Sequence, residues 1–131
     1  MNVACIRHRN LSPGTRTFRP DTKGADLVPE LKIVSDSVFV KTKASALTGE
    51  AFSEYVREHG IDEFYITGAD ASACVKSTCF NMAKAGYRVH VISDCVTGCD
   101  LKKLPEMFAC YADKGCEVRT LAEYQGVERV L

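Results

Sequence analysis

A chain of 131 residues with 46% hydrophobic content is long enough for one domain with its own core. Its 17 basic and 17 acidic side chains cancel, which argues against nucleic acid or an acidic membrane as partner. No apolar run reaches membrane-spanning length, and the amino terminus lacks a secretory pattern.

The seven cysteines, at positions 5, 74, 79, 95, 99, 110 and 116, are an odd number without a disulfide framework and fit a reducing cytoplasm. Cys95-x-x-x-Cys99 and Cys110 with Cys116 lack the paired spacing of a zinc ribbon, and no histidine sits near them. No structural metal is expected. The cluster Arg7-His8-Arg9, with Arg16 and Arg19, is local and reads as solvated loop.

Val3–Ile6 is a short apolar strand opening on Arg7-His8. Residues 9–35 have weak periodicity and carry Pro13-Gly14, Pro20, Gly24 and Pro29, which predicts a long loop with a helical turn near Leu27–Leu31. A loop of that length inside a compact domain is usually functional. Ser37–Lys41 is the second strand. Thr48 then caps a helix with Phe52, Tyr55, Val56 and His59 on one face, ended by Gly60.

Phe64–Thr67 is the third strand, and a helix follows it, closed by Gly86. Tyr87–Ile92 is the fourth strand, ending at Ser93-Asp94. A helix from Asp100 places Leu101, Leu104, Phe108 and Tyr111 inward and stops at Gly115, with Pro105 early enough to be tolerated or to mark its start. Cys116–Thr120 is the last strand. This alternation implies parallel βαβ units: an α/β fold with a doubly wound, mostly parallel sheet and helices on both faces. In such a sheet the site lies at the carboxyl ends of the strands, where Lys41, Asp70 with Cys74, and Asp94 fall.

Within the run Gly68-Ala-Asp-Ala-Ser-Ala-Cys74-Val75, a cysteine occupies the first turn of a helix just after a strand. Backbone N–H groups and the helix dipole stabilise a thiolate there. Ser72 is the expected N-cap, and Val75, Cys79, Met82 and Ala83 form an apolar stripe toward the sheet. The same pattern also suits a small, inert cysteine packed at a strand–helix junction. Lys41 alone likewise suits a solvated lysine at a strand end.

Lys41-Thr-Lys-Ala-Ser45-Ala46-Leu47 resembles the lysine motif of the isochorismatase-like cysteine hydrolases, with Leu47 where phenylalanine is usual. Gly68 through Cys74-Val75-x-x-Thr78, then Ala83-x-x-Gly86-Tyr87-x-Val89-x-Val91-x-x-Asp94, is similar to that family's nucleophile helix and following strand. The likeness runs from about Val3 to Thr120. It implies one domain over residues 1–131 with a three-layer α/β/α fold, acting on a small amide or related substrate without a cofactor. Members hydrolyse isochorismate, nicotinamide, N-carbamoylsarcosine and related amides or vinyl ethers. By the resemblance, Cys74 is the nucleophile and Lys41 stabilises its thiolate. The resemblance further implies a cis peptide between Ala69 and Asp70, which turns the Asp70 N–H, with the Cys74 N–H, toward a developing oxyanion.

The family begins with a strand ending in a catalytic aspartate, then a helix, before the strand that Val3–Ile6 resembles. This sequence starts after both and reads as N-terminally truncated. In the family that first strand is central, between the strands resembling Val3–Ile6 and Phe64–Thr67. The flanking strands then pair directly, another copy covers the gap, or the chain is part of a longer protein. A homo-oligomer with its interface near the gap is the expectation. Asp70 and Asp94 are the nearby carboxylates, although neither matches the motif position of the base. The nicotinamidases' zinc element Asp-x-His has no counterpart here; His8 is the only histidine near that region, and His59 and His90 sit on a helix face and in a strand. The competing reading is a catalytically silent member that keeps the fold for oligomerisation or ligand binding.

Overall fold

A computed structural model of the protein describes residues 2–9, 11, 13–14 and 37–130, with side chains as far as Gln125. Among these, strands β1 (Cys5–His8), β2 (Val38–Lys41), β3 (Glu63–Ala69), β4 (Arg88–Thr97) and β5 (Glu117–Arg119) alternate with helices α1 (Glu50–Glu58), α2 (Cys74–Lys84), α3 (Leu104–Asp113) and α4 (Leu121–Val130). All pairings are parallel, and they form two sheets, β1–β2 and β3–β4–β5. The architecture is the α/β fold expected from the alternation. Most of the loop assigned to residues 9–35, with its helical turn, lies outside the described residues.

The strand period of two decides which side chains each face receives. Phe64 and Ile66 stand beside Val89 and Val91, and Val91 beside Val118, so these residues share one face. They join the cluster that also holds Val75, Cys79 and Met82 of α2 and Tyr111 of α3. From α1, Phe52 places its ring 5.5 Å from Phe39 of β2 and 6.4 Å from Phe64 of β3. That helix therefore spans both sheets on their shared apolar side. Each large side chain fully buried in this way contributes about 1.5–3 kcal/mol.

The opposite face carries Tyr65, His90 and Glu117, with Tyr124 of α4 set edge-on to the first two. Tyr65 stacks on the His90 ring at 4.5 Å. Both imidazole nitrogens of His90 lie 2.8 Å from a carboxylate, Glu63 on one side and Glu117 on the other. His90 is thus a packed histidine. The Tyr124 hydroxyl donates to the Glu117 carbonyl, and burial pushes its pKa up to about 12.

Several expectations need correction. The first strand is two residues later than Val3–Ile6, because its ladder is set by pairing with β2, Cys5 opposite Val38 and His8 opposite Lys41. Thr48 does not cap α1; Gly49 occupies that position, and Ser45 caps a preceding 3-10 turn at Ala46–Thr48. β4 continues through Asp94 to Thr97, so Asp94 lies within the strand. Leu101 is in a 3-10 turn and 64% exposed, since the helix proper begins at Leu104 with Pro105 in its first turn. β1 and β3 do not pair with each other.

Helix α4 follows the last element that the strand–helix alternation predicts. It opens on a capping box: Thr120 Oγ1 accepts from the Glu123 N–H, and the Glu123 carboxylate accepts from the Thr120 N–H.

Candidate active site

Alternation along β2 puts Lys41 on the same side as Phe39, facing the α1–α3 layer. Its side chain is buried, at 6% exposure. The Lys41 ammonium lies 3.3 Å from Cys74 Sγ, 3.0 Å from His8 Nδ1 and 3.0 Å from the Lys43 carbonyl oxygen. An ammonium can only donate, so His8 Nδ1 is the unprotonated nitrogen of that ring. Burial, and then the Lys41 charge, hold the His8 pKa below the usual histidine range.

The rest of the lysine motif fastens the end of β2 to α2. Ser45 Oγ accepts from the Leu47 N–H and so shapes the 3-10 turn, while the Ala46 N–H donates to Thr78 Oγ1 at 2.9 Å. Ser45, Ala46 and Thr78 are all buried. A four-residue loop is thereby pinned on the helix whose first residue is Cys74.

Before that helix the Ala69–Asp70 peptide is cis. The Asp70 carbonyl oxygen accepts from the Ala73 and Val75 N–H groups, and the Ala71 N–H donates to Thr97 O. The Tyr111 hydroxyl donates to the Ala71 carbonyl oxygen, and burial raises the pKa of that phenol. Neither the Asp70 nor the Cys74 N–H takes a backbone acceptor among the described residues.

Ser72 does not cap the helix. Ala73 precedes Cys74, and both the N–H and the hydroxyl of Ser72 bond Asp70 Oδ1, at 2.8 and 2.9 Å. The competing Asx turn takes Ser72 away from the helix end. The other Asp70 oxygen accepts from the Cys99 N–H. These bonds, that from the Ser72 backbone foremost, hold the Asp70 carboxyl below the usual carboxylate range. Asp94 is elsewhere: its carboxylate accepts from the Leu121 N–H at the start of α4. Among the described residues no carboxylate bonds Lys41 or Cys74.

Gly98 makes room for the Asp70 clamp, since a Cβ there would stand 2.9 Å from Asp70 Oδ1 and 3.5 Å from the Ala71 nitrogen. Gly98→Ala is expected to cost about 1–3 kcal/mol by forcing the loop apart. Urea denaturation beside the wild type measures this, and an unchanged midpoint contradicts it.

Lys41, Cys74 and the turn at Asp70 lie together. His8, which the sequence pattern does not group with them, lies beside Lys41. A strand drawn over Val3–Ile6 leaves it in the loop, whereas the ladder carries it to the strand end opposite Lys41. The described residues hold no group of three or more His, Cys, Asp or Glu side chains arranged to hold a metal ion. No helix among them is long and apolar enough to cross a membrane.

Residues 1–123 match the family model of the isochorismatase domain. The chain is 29% identical over 77 residues to a nicotinamidase of Escherichia coli, covering 57% of this chain and 36% of the relative. It is 33% identical over 67 residues to isochorismatase domain-containing protein 2 of Xenopus laevis, covering 51% and 33%. It thus spans about a third of the length of these curated relatives. Among solved structures, an isochorismatase-like hydrolase from Alkaliphilus metalliredigens superposes with a TM-score of 0.83 at 22% identity, over 93% of this chain and 69% of that one. At that identity the likeness concerns the fold.

Proposed function

Because the chain belongs to the isochorismatase domain family, we propose that it is a cysteine hydrolase acting on a small amide or related substrate, with Cys74 as nucleophile and Lys41 holding its thiolate. The observation that carries this reading is the buried Lys41 ammonium 3.3 Å from Cys74 Sγ at the amino end of α2. The amide class is drawn from the matched nicotinamidase.

In this mechanism the sulfur attacks the carbonyl carbon and electron density moves onto its oxygen. The Asp70 and Cys74 N–H groups are the donors for that oxyanion. Collapse breaks the C–N bond, and the leaving nitrogen takes up the proton that the Cys74 thiol lost on ionising, departing as the amine. Water then cleaves the thioester, releasing the carboxylic acid and restoring the thiol.

Limiting iodoacetamide near neutral pH, followed by mapping of the modified cysteine, tests the nucleophile. Cys74 is expected to label ahead of the six other thiols. The structure makes the comparison sharp. Cys79 and Cys116 are buried, and Cys95, Cys99 and Cys110 are exposed. The Asp70 carboxylate beside the Cys99 side chain also raises that thiol's pKa. Labelling of Cys74 no faster than of Cys95 overturns the proposal. It would favour the alternative of a silent family member, to which the lack of a carboxylate on Lys41 or Cys74 among the described residues also points.

A homo-oligomer belongs to the same reading. One edge of β1 and one of β3 have no strand partner among the described residues, and Val38, Val40 and Tyr65 are exposed by 37%, 41% and 44%. Light scattering at micromolar concentration is expected to give a mass above that of one chain. A monomer rejects this part of the proposal.

A further inference from the structure

We propose that His8 is a positioning residue for Lys41: its imidazole takes one ammonium proton, and that bond helps aim another at the Cys74 sulfur. This rests on the reading of Cys74 and Lys41 given above and adds a residue to it.

The argument is one of donors and acceptors. A lysine ammonium has three protons on a flexible four-carbon stem, and the stem gives no direction by itself. Here three acceptors surround the nitrogen: His8 Nδ1, the Lys43 carbonyl oxygen and Cys74 Sγ, at 3.0, 3.0 and 3.3 Å. With two protons committed to His8 and Lys43, the third is left for the sulfur. The Lys43 carbonyl lies two residues along on Lys41's own loop. His8 comes from the neighbouring strand, level with Lys41 in the ladder. It is therefore the acceptor that ties the ammonium to the sheet.

The imidazole suits this task only while Nδ1 is unprotonated. Its burial and the adjacent Lys41 charge favour that form. A cationic His8 would set two like charges 3.0 Å apart. Without an acceptor at this position, the ammonium swings toward water or Lys43 and its hold on the sulfur weakens.

The test compares variants of the full chain by the rate of Cys74 alkylation with iodoacetamide at pH 7. Phenylalanine in His8→Phe keeps a ring without an acceptor; asparagine in His8→Asn restores an acceptor oxygen near the Nδ1 position. His8→Phe is expected to label about tenfold more slowly than the wild type, and His8→Asn to recover to within about threefold. A structural role alone would leave asparagine no better than phenylalanine. Labelling of His8→Phe at the wild-type rate, or of His8→Asn as slowly as His8→Phe, overturns the inference. If circular dichroism shows that His8→Phe is unfolded, His8→Gln takes its place, because its amide reaches past Nδ1; a wild-type rate in that variant is equally fatal. Lys41→Met separates the two readings. If it labels like the wild type, the Lys41–Cys74 reading itself falls; if it is slow while His8→Phe is not, only the role of His8 is lost.

Discussion

Replacing Cys74 by alanine is expected to abolish hydrolysis of small amides, and replacing Lys41 by methionine to lower kcat/KM by about a hundredfold. The alanine variant leaves no atom to form the thioester. Methionine keeps much of the lysine stem and removes the charge, so its effect reports the electrostatic contribution. At 3.3 Å, with an effective dielectric near 20, a unit positive charge lowers the energy of a thiolate by on the order of 5 kcal/mol. Water and the helix amino end recover part of that, and about 2.7 kcal/mol remains for a hundredfold effect. Lys41 is buried and Cys74 half-buried, so solvent screens the pair only in part. Acid and amine release from a panel of small amides, nicotinamide among them, measures both variants, with circular dichroism as the control for folding. Retained turnover in Cys74→Ala would remove the cysteine from the chemistry.

The parts of this site that could be read from the sequence are those in which local chemistry and position agree. Cys74 follows a strand and opens a helix, and Lys41 ends a strand, so strands that run parallel bring both to their carboxyl ends whatever the details between them. The strand–helix alternation is carried by Phe52 and Val56, by Val75, Cys79 and Met82, and by Tyr111, all buried where the periodicity placed them. Where a polar side chain had two possible partners, the sequence did not decide. Ser72 bonds Asp70 rather than capping α2, and Asp94 bonds the start of α4 rather than reaching the site.

Other features were hidden because pairing, not composition, creates them. His8 is polar and follows an apolar run, so only the ladder reveals it as strand and as a neighbour of Lys41. Helix α4 has a legible start signal, the Thr120-Leu-Ala-Glu123 box, but only a weak apolar pattern after it. The division into two sheets is likewise a matter of which edges meet. It also bears on the site, because Lys41 and Cys74 descend from different sheets.

That division makes Phe52 the side chain on which stability and site geometry jointly depend. β2 bonds only to β1 among the described strands, while α2 packs on β3 and β4. Phe52 reaches Phe39 on one sheet and Phe64 on the other, and it is 6% exposed. Phe52→Ala is expected to cost about 3–5 kcal/mol, a large share of the total stability of a domain this size. It is also expected to slow Cys74 alkylation in native buffer, since the end of β2 loses its apolar tie to the sheet under α2. Met82→Ala is the matched comparison. Met82 is 1% exposed and about two turns along α2 from Cys74, and its loss is expected to cost about 2–5 kcal/mol without moving β2. Urea denaturation gives the stabilities, and labelling under folding conditions gives the geometry. If Phe52→Ala is destabilised but labels Cys74 at the wild-type rate, the bonds from Ala46 to Thr78 and from Lys41 to Cys74 suffice to hold the site, and the aromatic bridge serves stability alone.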